Sequence, residues 1–360
     1  MEGATTEPIA GLLVGTQDTT RPRIRRSDFR PAGWLRNRHL QTIFPSLPVS
    51  RPACPPLTRE TLELPDGDAT VVDWLTDRED TDDTSPLLVI LHGLEGSAKS
   101  SYCRQLLNAA SQAGWRAAVL HFRDCGDYRN RLPRRYHAGE TNDIRYFLHK
   151  LRTDGYRGPL MAAGYSLGGN VLLKYLGESG VDTPLLAAAA VSVPLNLHVS
   201  ARELTKGFSR VYQNYLLRRM KQSVVRKFNR HTAAFDWDRA MEATTFAEFD
   251  DAVTAPLHGF ANKDDYYDRC SSTHFLAGIE RPTLIINALD DPFMSAEIIP
   301  PEERVSNKVT LEISDHGGHV GFIDGGPPWQ PSFFLPRRIV TFFESSLDEH
   351  RENSYAIPGM

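Results

Sequence analysis

From Thr58 onward apolar and polar positions alternate. Glu60 to Leu64 and Thr70 to Leu75 read as paired strands around the turn Pro65-Asp66-Gly67-Asp68. Asp77 to Ser85 is acidic and polar, which predicts a loop. Leu87 to Leu91 is apolar without interruption, as expected of a strand covered on both faces. Ala117 to Phe122, Pro159 to Ala163, Leu185 to Val193, Thr283 to Asn287 and Val309 to Ile313 read as further strands. Ser101 to Ala113, Asn142 to Leu151 and Gly169 to Leu176 read as helices between them. Strands alternating with helices predict an α/β fold with a mostly parallel, doubly wound sheet.

The alternation breaks between residues 193 and 283. About ninety residues without strand character are too many for a simple crossover. Within them Phe208, Val211, Tyr212, Tyr215, Leu216, Met220, Val224 and Phe228 recur in three- and four-residue steps. Arg210, Arg218, Arg219, Lys221, Arg226 and Lys227 mostly point in other directions. This predicts a helical cap insertion over roughly residues 195–280, lying over the active site. A basic amphipathic helix of this kind can also make peripheral contact with a lipid surface. Residues 1–28 read as a flexible leader, 29–350 as a single domain and 351–360 as a tail. The seven arginines between Arg21 and Arg38 read as a solvated or salt-bridged arm.

Composition narrows the function classes. The chain has 360 residues, 41% of them hydrophobic and 24% charged, which is ordinary for a soluble globular protein. A net charge of −4 gives no reason to expect nucleic acid. Four scattered cysteines, at 54, 103, 125 and 270, form no C-x-x-C pair, which fits a reducing cytoplasm and argues against a structural metal site. The longest apolar run, Leu185 to Val191, is far below the ~20 residues of a membrane helix.

The chemistry concentrates at Gly164-Tyr165-Ser166-Leu167-Gly168. A G-x-S-x-G pentapeptide between a strand and a helix is a nucleophile elbow, the signature of the α/β-hydrolase fold. A serine hydroxyl needs a base, and in this architecture an acid and then a histidine follow along the chain. Asp290 and Asp291 compete for the acid position, and counting the turn from Ala288 favours Asp291. His316 and His319 compete for the base; His319 follows a glycine pair that lets its loop swing over Ser166, and His316 is left a structural role. Backbone N–H groups of Leu94, in His92-Gly93-Leu94-Glu95-Gly96, and of Leu167 are the candidate oxyanion donors.

These segments together resemble the YheT-like α/β-hydrolases. The resemblance is carried by Asn37 to Thr42, Leu91 to Ser97, His121 to Arg123, Tyr136 to Thr141, Gly164 to Asn170, Lys206 to Ser209, Asp290 to Met294 and His316 to Phe322. It implies a Ser166, Asp291, His319 triad and hydrolysis of a small-molecule carboxylic ester without metal or organic cofactor. Related proteins act as acylglycerol lipases, phospholipases or alcohol acyltransferases. The expectation is therefore a serine carboxylesterase or lipase for short- to medium-chain acyl esters. The alternatives are an alcohol O-acyltransferase on the same acyl-enzyme and a non-catalytic binding protein of this fold. One departure is Arg123-Asp124-Cys125-Gly126-Asp127, more acidic than the family's usual R-G-C-S-G and expected to alter a pocket wall. Asn37 to Thr42 and His137 to Thr141 receive structural roles: His39 and His137 tie the arm or loop to the body, and Glu140 favours a helix start.

Overall fold

The computed structural model describes residues 22–76 and 82–355. In chain order the first half contains β1 (Ile24–Arg26), α1 (Arg38–Ile43), β2 (Leu57–Glu63), β3 (Ala69–Leu75), β4 (Leu87–Leu91), α2 (Ser101–Gln112), β5 (Arg116–Leu120), α3 (Asn142–Thr153), β6 (Leu160–Tyr165), α4 (Leu167–Ser179) and β7 (Ala187–Val191). Then come α5 (Leu197–Glu203), α6 (Ser209–Lys227), α7 (Trp237–Glu242), α8 (Phe246–Phe249), α9 (Ala255–His258), α10 (Lys263–Cys270), β8 (Thr283–Ala288), β9 (Val309–Ser314) and the long C-terminal α11 (Phe334–Tyr355).

One nine-stranded sheet runs β1-β9-β8-β7-β6-β4-β5-β3-β2. The hairpin β2–β3 and the β3–β5 pair are antiparallel, and every other pairing is parallel. Leu87, Val89 and Leu91 point to one face, where α3 and α4 cover them, and Leu88 and Ile90 to the other, beneath α2 and α11. That is why β4 reads as a solid apolar run. Each such side chain contributes about 1.5–3 kcal/mol on burial, so the sheet centre is a rigid platform. The chain leaves β4 toward β5 and returns to β6 on the opposite side. The loops after β4 and β6 therefore diverge and open a crevice at the strands' carboxyl ends.

Three expectations are corrected. Ile24–Arg26 is not part of a leader: it pairs in parallel with β9 as an edge strand. Arg23 Nη1 donates to Val305 O at 2.8 Å, and Arg25 and Arg26 pair with Glu312 and Asp315. Three residues are too few to show a period, and their arginines read as solvated chain. Residues 1–21 lie outside the described residues, as do 77–81 of the acidic loop. At the other end α11 runs through Tyr355, so residues 351–355 are helix rather than tail.

The third correction concerns the cap. Helices α5 to α10 do lie between β7 and β8, but the apolar stripe of α6 does not all face inward. Tyr212, Met220 and Val224 are buried, whereas Phe208, Val211 and Tyr215 are 50%, 53% and 60% exposed. Polar side chains take the inward places because each finds a partner. Ser209 Oγ donates to Pro292 O at 2.5 Å, Ser223 Oγ to Glu95 Oε2 at 2.9 Å, and Gln213 Nε2 to Thr244 O at 3.4 Å.

Candidate active site

Strand β6 ends at Tyr165 and helix α4 begins at Leu167. Ser166 between them is held at φ 51° and ψ −118°, a strained conformation for a residue with a Cβ. The flanking glycines are sterically required. A Cβ on Gly164 would lie 2.5 Å from Gly168 O, and one on Gly168 would lie 2.4 Å from His92 O.

The loop after β9 carries His319 over this turn. Its Nε2 lies 3.0 Å from Ser166 Oγ and its Nδ1 lies 2.8 Å from Asp291 Oδ2. Asp291 is 1% exposed, and its other oxygen accepts the Phe293 N–H at 2.8 Å. The neighbouring Asp290 faces elsewhere: it accepts the Gly318 N–H at 2.9 Å and lies 3.3 Å from His316 Nδ1. Burial raises its pKa above the ordinary carboxylate value. Two adjacent carboxylates are thus each assigned to a different histidine.

Two supports of the histidine loop could not be assigned that role from the sequence. The Phe293 ring stacks on the His319 imidazole, centroids 3.9 Å apart and planes 4° from parallel. The only sequence signal was its place after Asp291-Pro292. The second support is the segment Asn37 to Thr42. Thr42 Oγ1 accepts the His319 N–H at 2.9 Å. Gln41, fully buried, donates to Leu35 O and Ile323 O and accepts the Ile323 N–H. Asn37 caps α1, and His39 Nδ1 lies 3.2 Å from Tyr212 Oη on α6.

The loop after β4 is equally constrained. Burial pushes His92 down to about 3, so its ring is neutral. Its Nδ1–H donates to Gly93 O at 2.7 Å while Nε2 accepts the Phe122 N–H at 3.2 Å. The Gly93 N–H donates to Tyr102 Oη and the Glu95 N–H to Tyr136 Oη, each at 2.8 Å. The Leu94 N–H between them makes no hydrogen bond among the described residues. Arg219, on α6, clamps the loop by donating to Glu95 O at 2.6 Å. The Glu95 carboxylate takes Arg135 Nη2 at 2.8 Å, and Asp124 holds the same arginine at 3.1 Å. The acidic departure at Asp124 thus reaches the wall through Arg135.

Ser166, His319, Leu94 and Leu167 open into one cavity of about 740 Å³ between the strand ends and the cap. His137, whose Nδ1 accepts the Gly139 N–H, packs on His258 at 4.5 Å in its wall, and burial holds both rings neutral. Glu140 accepts the Asn142 N–H at the start of α3. Asp250 begins a π-helical turn, Asp250–Thr254, on the cap side of the cavity. It accepts Tyr267 Oη at 2.7 Å and Thr254 Oγ1 at 2.6 Å, and burial raises its pKa to about 6.

This sheet order and strand–serine–helix elbow define an α/β-hydrolase. Residues 86–326 match the family model of the alpha/beta hydrolase fold, and the chain belongs to that family. Within it the chain belongs to the YheT-like branch, of the esterase and lipase type. It is 41% identical to the YheT protein of Escherichia coli (strain K12) over 324 residues, 89% of this chain and 94% of that one. Human phospholipase ABHD3 is 31% identical over 329 residues, 89% of this chain and 80% of that protein. An esterase of Pyrococcus furiosus shares the fold at a TM-score of 0.54 and 15% identity, over 81% of this chain and 91% of that one. Among the described residues no helix is long and apolar enough to cross a membrane.

Proposed function

We propose that this protein is a serine hydrolase of carboxylic esters, working through an acyl-enzyme on Ser166. The observation that carries the reading is the continuous line Ser166 Oγ, His319, Asp291, with steps of 3.0 Å and 2.8 Å. His319 Nε2 takes the Ser166 proton as Oγ attacks the ester carbonyl, then returns it to the leaving alcohol. Asp291 holds the tautomer with Nδ1 protonated and stabilises the imidazolium. The N–H groups of Leu94 and Leu167 receive the oxyanion. Water repeats the sequence and frees the acid. The cavity of about 740 Å³ suits a short- to medium-chain acyl ester, and the phospholipase name of the human relative supports an ester substrate.

Fluorophosphonate labelling of wild type and Ser166→Ala, with a p-nitrophenyl ester chain-length series on the same samples, tests this. Labelling should vanish in the variant and turnover should fall by about 10⁴-fold or more, with unchanged circular dichroism. Absence of labelling in folded wild-type protein would leave a binding protein of this fold. Added ethanol tests acyl transfer: no ethyl ester at any ethanol level rules against a transferase.

A further inference from the structure

Charge and exposed apolar surface are unevenly distributed in this molecule. Residues 29–59 and 204–235 contain thirteen Lys and Arg and no Asp or Glu. They carry a formal +13 in a chain whose total is −4, so the remainder carries −17. These 63 of 360 residues also hold nine of the twelve exposed large hydrophobic side chains among the described residues. A folded chain gains nothing from leaving these side chains in water, and a contiguous patch of them marks an interaction surface.

The two segments meet at the cavity mouth. The His39 ring lies 4.5 Å from Phe208, which joins α1 to α6. The exposed residues lining the cavity are Ile43, Ser46, Arg51, Lys99, Val211 and Tyr215; five of the six lie in these segments, and none is acidic. At the N-cap of α6 and along its outer face, Phe208, Val211, Tyr215 and Arg218 follow three- and four-residue steps. Leu40, Leu47 and Val49, each exposed, lie within a few residues along the chain of the lining residues Ile43, Ser46 and Arg51. Arg36, Arg38, Arg51, Arg210 and Arg218 make no ion pair among the described residues, so their charge is free for a partner.

We propose that this face docks on an anionic lipid surface, with the cavity mouth turned toward the bilayer. Apolar side chains ringed by unpaired arginines fit an interface of acyl chains beneath anionic headgroups. A second copy of the chain fits less well, because two such faces repel each other. Docking this way would let a lipid ester enter the cavity without crossing water. The inference stands apart from the ester-hydrolase reading, because docking needs no turnover.

The test is co-sedimentation of the full chain with phosphatidylcholine vesicles, with and without phosphatidylglycerol. Wild type and Ser166→Ala should both pellet with the anionic vesicles, remain in solution with phosphatidylcholine alone, and be released by high salt. Leu47→Glu/Val49→Glu and Arg36→Glu/Arg210→Glu lie outside the cavity lining. Each pair should lower anionic-vesicle binding about tenfold or more, the arginine pair at roughly fivefold per basic residue lost and the Leu47/Val49 pair by replacing apolar contacts with carboxylates that anionic headgroups repel. Turnover of a water-soluble short ester, or fluorophosphonate labelling, should stay within about twofold and report an intact fold. No pelleting of wild type, or undiminished pelleting of the arginine pair, overturns the proposal. So does self-association that the same variants abolish without any vesicle binding, which would assign the face to a second copy.

Discussion

At Ser166 a left-handed backbone lifts one hydroxyl above the sheet, and glycines on either side keep neighbouring backbone clear of it. The G-x-S-x-G letters reveal that steric demand directly. The two aspartates are a harder case, since adjacent residues of one type differ only in direction. Asp291 faces His319 and Asp290 faces His316. Asp291→Asn should lower kcat/KM by about 10⁴-fold through the wrong imidazole tautomer, and Asp290→Asn by no more than about tenfold. Equal losses in the two variants, measured with one soluble ester, would contradict the separate roles. Phe293 was not predictable as a partner of His319, because stacking depends on how two loops approach.

Elements that looked peripheral prove to be braces. Helix α1 holds the histidine loop through Thr42 Oγ1, and Gln41 ties it to Leu35 and Ile323 by three buried hydrogen bonds. Gln41→Ala leaves those backbone groups unpaired at about 1–3 kcal/mol each. A destabilisation of at least about 3 kcal/mol should appear in urea denaturation; a loss below about 1 kcal/mol would mean the groups find other partners. The motif Asn37 to Thr42 was visible in the sequence, but its role was not, since Gln41 and Ile323 are 282 residues apart. Helix α6 was likewise visible as a periodic element. Its orientation was not, because Ser209, Ser223 and Gln213 become inward-facing only when Pro292 O, Glu95 and Thr244 O meet them.

For the whole molecule, the buried Asp250 carboxyl has two hydroxyl donors and, among the described residues, no cation acting on it. Its pKa is raised to about 6 in the folded state, above the ordinary value of 3.8. Between those values the unfolded chain has released this proton and the folded chain keeps it, so stability falls as pH rises through the window. Asp250→Asn removes the effect. Relative to wild type it should gain about 2–3 kcal/mol between pH 4 and pH 7, read from urea midpoints at both pH values; a pH-independent difference would contradict a raised pKa. The sequence by itself determined the alternating α/β order, the insertion before β8, the elbow and the candidate acid and base. Each of these is written in local period, steric need or chain order. Tertiary structure alone decided the edge strand β1, the braces on the His319 loop and on the loop after β4, the inward face of α6, and the basic, apolar rim of the cavity. Those depend on groups brought together from distant parts of the chain, which no local pattern records.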